Sequence, residues 1–233
     1  KLAYEVLPNR SGMTGRANKW SAAGFLAKIY TYLGSSKKFL VGVDLNFPLN
    51  SFDWVDENKM YEDALTVTTN IINSSGYKLI DQYSYLFYET TNAQKAEESL
   101  LSALSSSNST AGNYHVWLYF QARQGNTNAY GGGNGNFRPT AEIYHKYSKS
   151  DSRLNLNLSL SFINTSPKET VEGVSYFIPR EIDHSKSTAL QTQFYCSAKY
   201  RMMDPAEKKI SLSRSSGVVS LLRYADILLL HAE

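Results

Sequence analysis

Two stretches of the chain repeat apolar residues every three or four positions and lie near enough in sequence to form one helical hairpin. In TGRANKWSAAGFLAKIYTYLG, residues 14–34, Ala22, Leu26, Ile29, Tyr30 and Leu33 fall on one helical face. Thr14 or Asn18 can cap its start, and Gly34 ahead of SSKK is placed to stop it. In ENKMYEDALTVTTNIINSSG, residues 57–76, Met60, Ala64, Val67 and Ile71 line a face, with Tyr61, Leu65, Thr68 and Ile72 beside them. Gly76 supplies a natural left-handed terminator. Two amphipathic helices linked this closely are expected to pack antiparallel, helix on helix.

Further along, YKLIDQYSYLFYE reads as a turn into a short helical segment near Tyr83–Tyr88. NAQKAEESLLSAL, residues 92–104, has Asn92 as a candidate cap and Ala96, Leu100, Ala103 and Leu104 in helical register. Regularity then fails. SSSNSTAGN is small and polar, and the run up to Pro139 is rich in Gly, Asn and aromatic residues, a long irregular insertion of the kind that tends to carry function. PTAEIYHKYSKSD, 139–151, restores a helix with proline in its first turn. LNLNLSLSF, 154–162, alternates strictly and predicts a half-buried strand, best taken as a surface ribbon without chemistry. Pro179 and EIDHSKSTALQT mark another loop. SGVVSLLRYADILLLHAE predicts a closing helix whose Val218, Leu221, Leu222, Ala225, Leu228 and Leu229 form a broad buried face. The expected fold class is mostly α: helix pairs packed like tetratricopeptide repeats, with long irregular loops and a small β-ribbon.

Composition narrows the partners. Twenty-four basic residues against 21 acidic ones leave a formal charge of +3 with no dense basic patch, so no nucleic-acid partner is expected. The single cysteine, Cys196, excludes an intramolecular disulfide and reads as a small hydrophobe near a strand or helix. No apolar run reaches the roughly 20 residues needed to span a bilayer.

The glycine-rich loop AYGGGNGNFRP, residues 129–139, resembles a phosphate cradle only at first sight. Gly131, Gly133 and Gly135 give G-x-G-x-G, while Asn136 stands where a dinucleotide motif needs its third glycine, and no strand is expected to feed the loop. His115, His145, His184 and His231 form no ligand-spaced pair, so neither a metal nor any other cofactor is expected; His231 reads as a hydrogen-bonded helix residue. No G-x-S-x-G is present, and Asp53, Asp56 and Glu57 are explained by the dipole at a helix entrance, so an enzyme is not expected. What remains is NYHVWLYFQARQGNTNAYGGGNGNF. Aromatic faces cover the C–H side of a sugar ring, while amides and guanidinium groups match its hydroxyls. Trp117, Tyr119, Tyr130 and Phe137 are the candidate stacking faces, and Arg123, Asn126 and Asn128 the candidate hydroxyl partners. Glycines there permit close backbone approach to a ligand. The alternative is that Val116, Leu118 and Phe120 form one face of a strand, with the other aromatics as ordinary packing.

GRANKWSAAGFLAKIYTYLG and LLRYADILLLHAE together resemble the SusD/RagB-like family of Bacteroidetes outer-membrane nutrient-binding lipoproteins. Gly15, Arg16, Ala17, Lys19, Ala22, Ala23, Leu26, Ala27, Lys28, Ile29 and Tyr30 match the family's first helix motif. Arg223, Tyr224, Ala225, Asp226, Ile227, Leu228, Leu229, Ala232 and Glu233 match its later R-Y-A-D helix. The S-G-Y turn, the aromatic segment after it, and Tyr147, Asp151 and Arg153 resemble intervening elements in the same order. His231 departs from the family's usual aromatic or small residue. The resemblance implies a single tetratricopeptide-type domain over residues 1–233, an internal fragment of a longer protein whose lipidated N-terminal part and C-terminal part lie outside it. It implies non-catalytic binding of oligosaccharide at the cell surface, a lipid anchor outside the fragment, and a SusC-like TonB-dependent transporter as partner in polysaccharide utilisation. Its motif residues are structural, and glycan contacts come from variable loops, here the insertion between the S-G-Y turn and Tyr147. A scaffold for the transporter, or a binder of another nutrient such as peptide, is the alternative.

Overall fold

A computed structural model describes residues 1–10, 15–42, 52–104, 139–148, 150–159, 162–163, 169–171, 174–177, 196–197, 199 and 217–233. The chain divides into two units, one of residues 1–81, 94–103 and 219–233, the other of residues 82–93 and 104–218.

The first unit is built on the helical hairpin. After a short helix α1 (Leu2–Val6), α2 runs Lys19–Lys38 and α3 Glu57–Ser74. Asn18 caps α2: its side-chain oxygen accepts from the main-chain N–H groups of Trp20 and Ser21 at 2.9 and 3.0 Å, while Ser21 Oγ accepts from Asn18 N at 2.8 Å. Asp56 caps α3 by accepting from Lys59 N at 3.1 Å, so this carboxylate at the helix entrance does capping work, as its position in the sequence suggests. The hairpin is antiparallel. Asn18 at the start of α2 donates to the Tyr77 hydroxyl just past α3, and Gly34 near the end of α2 faces the Tyr61 ring near the start of α3. Gly76 ends the second helix with φ +72°, the left-handed conformation that glycine adopts without a Cβ penalty.

Of the face expected on α2, Tyr30 is buried and Leu26 packs against the core, while Ile29 is 52% exposed; Ala23, Ala27 and Gly34 are buried in addition. Small residues let the two backbones approach closely, and this gain in dispersion contact outweighs burying the larger residues one position away. For the same reason Gly34 does not stop the helix: α2 continues another turn to Lys38, with Gly34 against Tyr61. Opposite them α3 contributes Ala64, Val67 and Ile71, the expected face, and Thr68.

The chain returns to this core twice. Helix α4 spans Asn92–Glu98, but residues 99–104 do not extend it; Ser99–Ala103 forms strand β1 instead. The closing segment likewise opens as a strand, Val219–Arg223, before turning into a helix at Tyr224–Ala232. The two strands pair antiparallel, Leu101 opposite Leu222 and Ala103 opposite Val219. Helical spacing in both segments is overridden by this ladder, a tertiary contact invisible to local propensity. Leu100, Leu222 and Ile227 are buried in the hairpin core, whereas Leu221 and Leu229, expected inside, are exposed. Glu98, 2% exposed, locks the junction: it accepts from the Ile80 main-chain N–H at 3.1 Å and from the Arg223 guanidinium at 3.2 Å. Arg223 therefore pairs with Glu98, while Asp226 accepts the Arg223 main-chain N–H at 2.8 Å and caps the final helix. His231 is hydrogen-bonded, its Nδ1 3.0 Å from Thr68 Oγ1 on α3. Because that hydroxyl gives its proton to the Ala64 or Leu65 carbonyl, the imidazole Nδ1 is the donor.

In the second unit, Tyr83–Leu86 is a 3-10 turn, matching the short helical segment expected there. Helix α5 spans Ala141–Lys146, with Pro139 just ahead of it rather than inside its first turn. The alternating run 154–162 is not one strand. Leu154–Asn157 makes a single helical turn, α6, because Asp151 and Arg153 nucleate it: their carbonyls accept from Leu154 N and Asn157 N at 3.0 and 2.8 Å. Among the described residues of that run, Leu158–Ser159 (β2) and Phe162 are extended; β2 pairs with β6 (Cys196–Ser197), so Cys196 lies on a strand. Phe162–Ile163 (β3), Glu169–Val171 (β4) and Val174–Phe177 (β5) form a three-stranded antiparallel sheet in the order β3-β5-β4. With strand Val219–Arg223 numbered β7 and helix Tyr224–Ala232 numbered α7, the chain is a mostly α fold of tetratricopeptide-type helix packing with small β-ribbons.

At Gly24 a Cβ would lie 2.6 Å from Leu222 Cδ2 and 3.0 Å from Ile227 Cδ1, both on fully buried side chains. Gly24→Val is expected to lower stability by about 1–3 kcal/mol through overpacking, although valine is the better helix former. Urea unfolding followed by circular dichroism measures it; an unchanged or higher midpoint would contradict this packing.

Candidate ligand-binding region

Trp117, Tyr119, Arg123, Asn126, Asn128, Tyr130 and Phe137 all lie in residues 105–138, outside the described residues. The described parts of the same unit hold an aromatic and amide cluster that individual sequence motifs did not reveal. Tyr83 and Phe87, one turn apart on and after the 3-10 segment, meet edge to face with centroids 5.1 Å apart. The Lys199 ammonium lies 5.9 Å from the Tyr83 ring and 5.3 Å from the Phe87 ring, so two quadrupoles hold one cation. Asn157, at the end of α6, bridges two phenols: its Oδ1 accepts from Tyr83 at 2.9 Å and its Nδ2 donates to Tyr147 at 2.7 Å.

Tyr83, Tyr147 and Asn157 are half-buried and joined by these two bonds, which suits a buttress that fixes α5, α6 and the 3-10 turn to one another. Tyr147 is legible in the sequence as part of the Y-x-x-x-D-x-R element, and Tyr83 and Phe87 as part of the aromatic segment after the S-G-Y turn; Asn157 carries no signal beyond its place in an apparent strand.

Asp151 and Arg153 of that element form a local clamp. Arg153 donates from Nε and Nη2 to the two carboxylate oxygens at 2.9 and 2.7 Å, and its main-chain N–H donates to Oδ1 at 2.9 Å. These bonds, the side-chain ones first, hold the Asp151 carboxyl down to about 2 and raise the Arg153 guanidinium above its ordinary value. Arg153 is exposed and Asp151 partly buried, so solvent screens the pair from the arginine side and it sets the geometry of the α6 turn more than it stabilises the fold.

Elsewhere, Asp53 lies 3.7 Å from Lys37 and Asp56 caps α3, so the acidic entrance to α3 is engaged in structure. Among the described residues no three His, Cys, Asp or Glu side chains are grouped to hold a metal ion. No helix among the described residues is long and apolar enough to cross a membrane.

A model of the SusD family matches residues 97–233, more than half of the chain. The chain belongs to the SusD family. The SusD-family match takes in the Glu98–Arg223 junction, the aromatic insertion and the closing helix. Solved structures agree in fold. A SusD homolog from Bacteroides thetaiotaomicron superposes with a TM-score of 0.65 at 19% identity, over 98% of this chain and 43% of that one. Surface glycan-binding protein A from the same organism, in complex with laminarihexaose, gives 0.62 at 19% identity over 98% of this chain and 45% of its own. A structure determined with xylogluco-oligosaccharide gives 0.63 at 20% identity over 99% and 42%. This chain thus spans less than half the length of each of these proteins. No curated protein sequence matches the chain.

The Asp151 clamp yields a pH prediction. A carboxyl whose folded pKa is depressed contributes stability above its unfolded pKa and loses it as pH falls through the folded one. The Asp151 contribution is therefore present at neutral pH and disappears between about 3.8 and about 2. In Arg153→Ala the carboxyl carbon, followed by NMR, is expected to titrate clearly higher, towards 3.8. A midpoint unmoved by the substitution would show that Arg153 does not hold the carboxylate.

Proposed function

We propose that this protein binds oligosaccharide at the cell surface without chemically altering it. Membership of the SusD family carries the reading, and two structures of this fold are described with laminarihexaose and with xylogluco-oligosaccharide. In the longer protein the unit would be held at the outer membrane by a lipid and would deliver the bound sugar to a SusC-like TonB-dependent transporter.

The proposed contacts lie in residues 113–137. Trp117, Tyr119, Tyr130 and Phe137 would stack on sugar rings, displacing water from the apolar C–H faces. Arg123, Asn126 and Asn128 would set the orientation by hydrogen-bonding ring hydroxyls, the arginine through a charge-assisted fork. Between Glu98 and Glu142 the sequence has no Asp or Glu, so this segment offers no carboxylate pair of the kind glycoside hydrolysis uses. A wet, shallow site with a few aromatic anchors corresponds to a Kd of about 10 μM to 1 mM, or about −7 to −4 kcal/mol.

Isothermal titration against a panel of plant and host oligosaccharides tests this. At least one glycan is expected to bind in that range, and Trp117→Ala or Tyr130→Ala to weaken it about five- to thirtyfold, since each removes a stacking face of about 1–2 kcal/mol. Silence across the panel would remove the glycan reading and favour a peptide or a scaffold role. Undiminished binding by both variants would move the site elsewhere.

A further inference from the structure

We draw no further inference here: the strongest candidate, the exposed apolar face of α2 formed by Phe25, Ile29 and Tyr32, is broken at the buried Ser36, and nothing in the structure shows what covers it.

Discussion

Everything in the first unit depends on how closely α2 and α3 approach. Ala23, Ala27 and Gly34 on one helix meet Ala64, Val67 and Ile71 on the other, with Gly34 under the Tyr61 ring. Close approach of this kind gains dispersion energy along the whole seam and leaves no space into which a larger side chain could relax. Gly24 extends the constraint to a third layer, because only a missing Cβ lets Leu222 and Ile227 reach the helix backbone. The returning strand and the closing helix therefore take their positions from the hairpin. Glu98 then fixes the junction by binding Ile80 N and Arg223 together.

The same packing explains what the sequence made legible. Capping at Asn18 and Asp56, the buried face of α3, the left-handed Gly76 and the hydrogen-bonded His231 all follow from local chemistry or helical period, and the structure has each of them. On α2, periodicity finds Tyr30 but not Ala23, Ala27 and Gly34, because it weighs large apolar residues whereas the seam against α3 also takes small ones. SLLSA and VSLLR look helical in isolation; they are strands because each is the other's partner across more than a hundred residues. LNLNLSLSF failed for the opposite reason. A local clamp, Asp151 with Arg153, turns its first half into a helical turn that alternation cannot register. The candidate sugar contacts were read from composition and placed by the family resemblance, and they lie outside the described residues.

The scaffold and the proposed recognition residues draw on different parts of the chain. The motif residues, Arg16 to Tyr30 and Arg223 to Glu233, build or close the helical core, and the SusD-family match takes in the second of them. Aromatic and amide residues that could read a ligand are concentrated between the end of β1 and the start of α5, where no helical period constrains the sequence. A fold shared at 19% identity with glycan-bound relatives leaves that segment free to differ in its ligand. The outward face of α2 is a third element, neither core nor insertion, whose exposed rings and lysines answer to neither role.

The most direct measurement is a 1H–15N NMR titration of the chain with an oligosaccharide that binds it. The account predicts amide shifts concentrated in residues 113–137, with the α2–α3 seam and the Glu98–Arg223 junction unmoved. Shifts centred on the helical core, or an insertion whose resonances ignore a bound sugar, would contradict it.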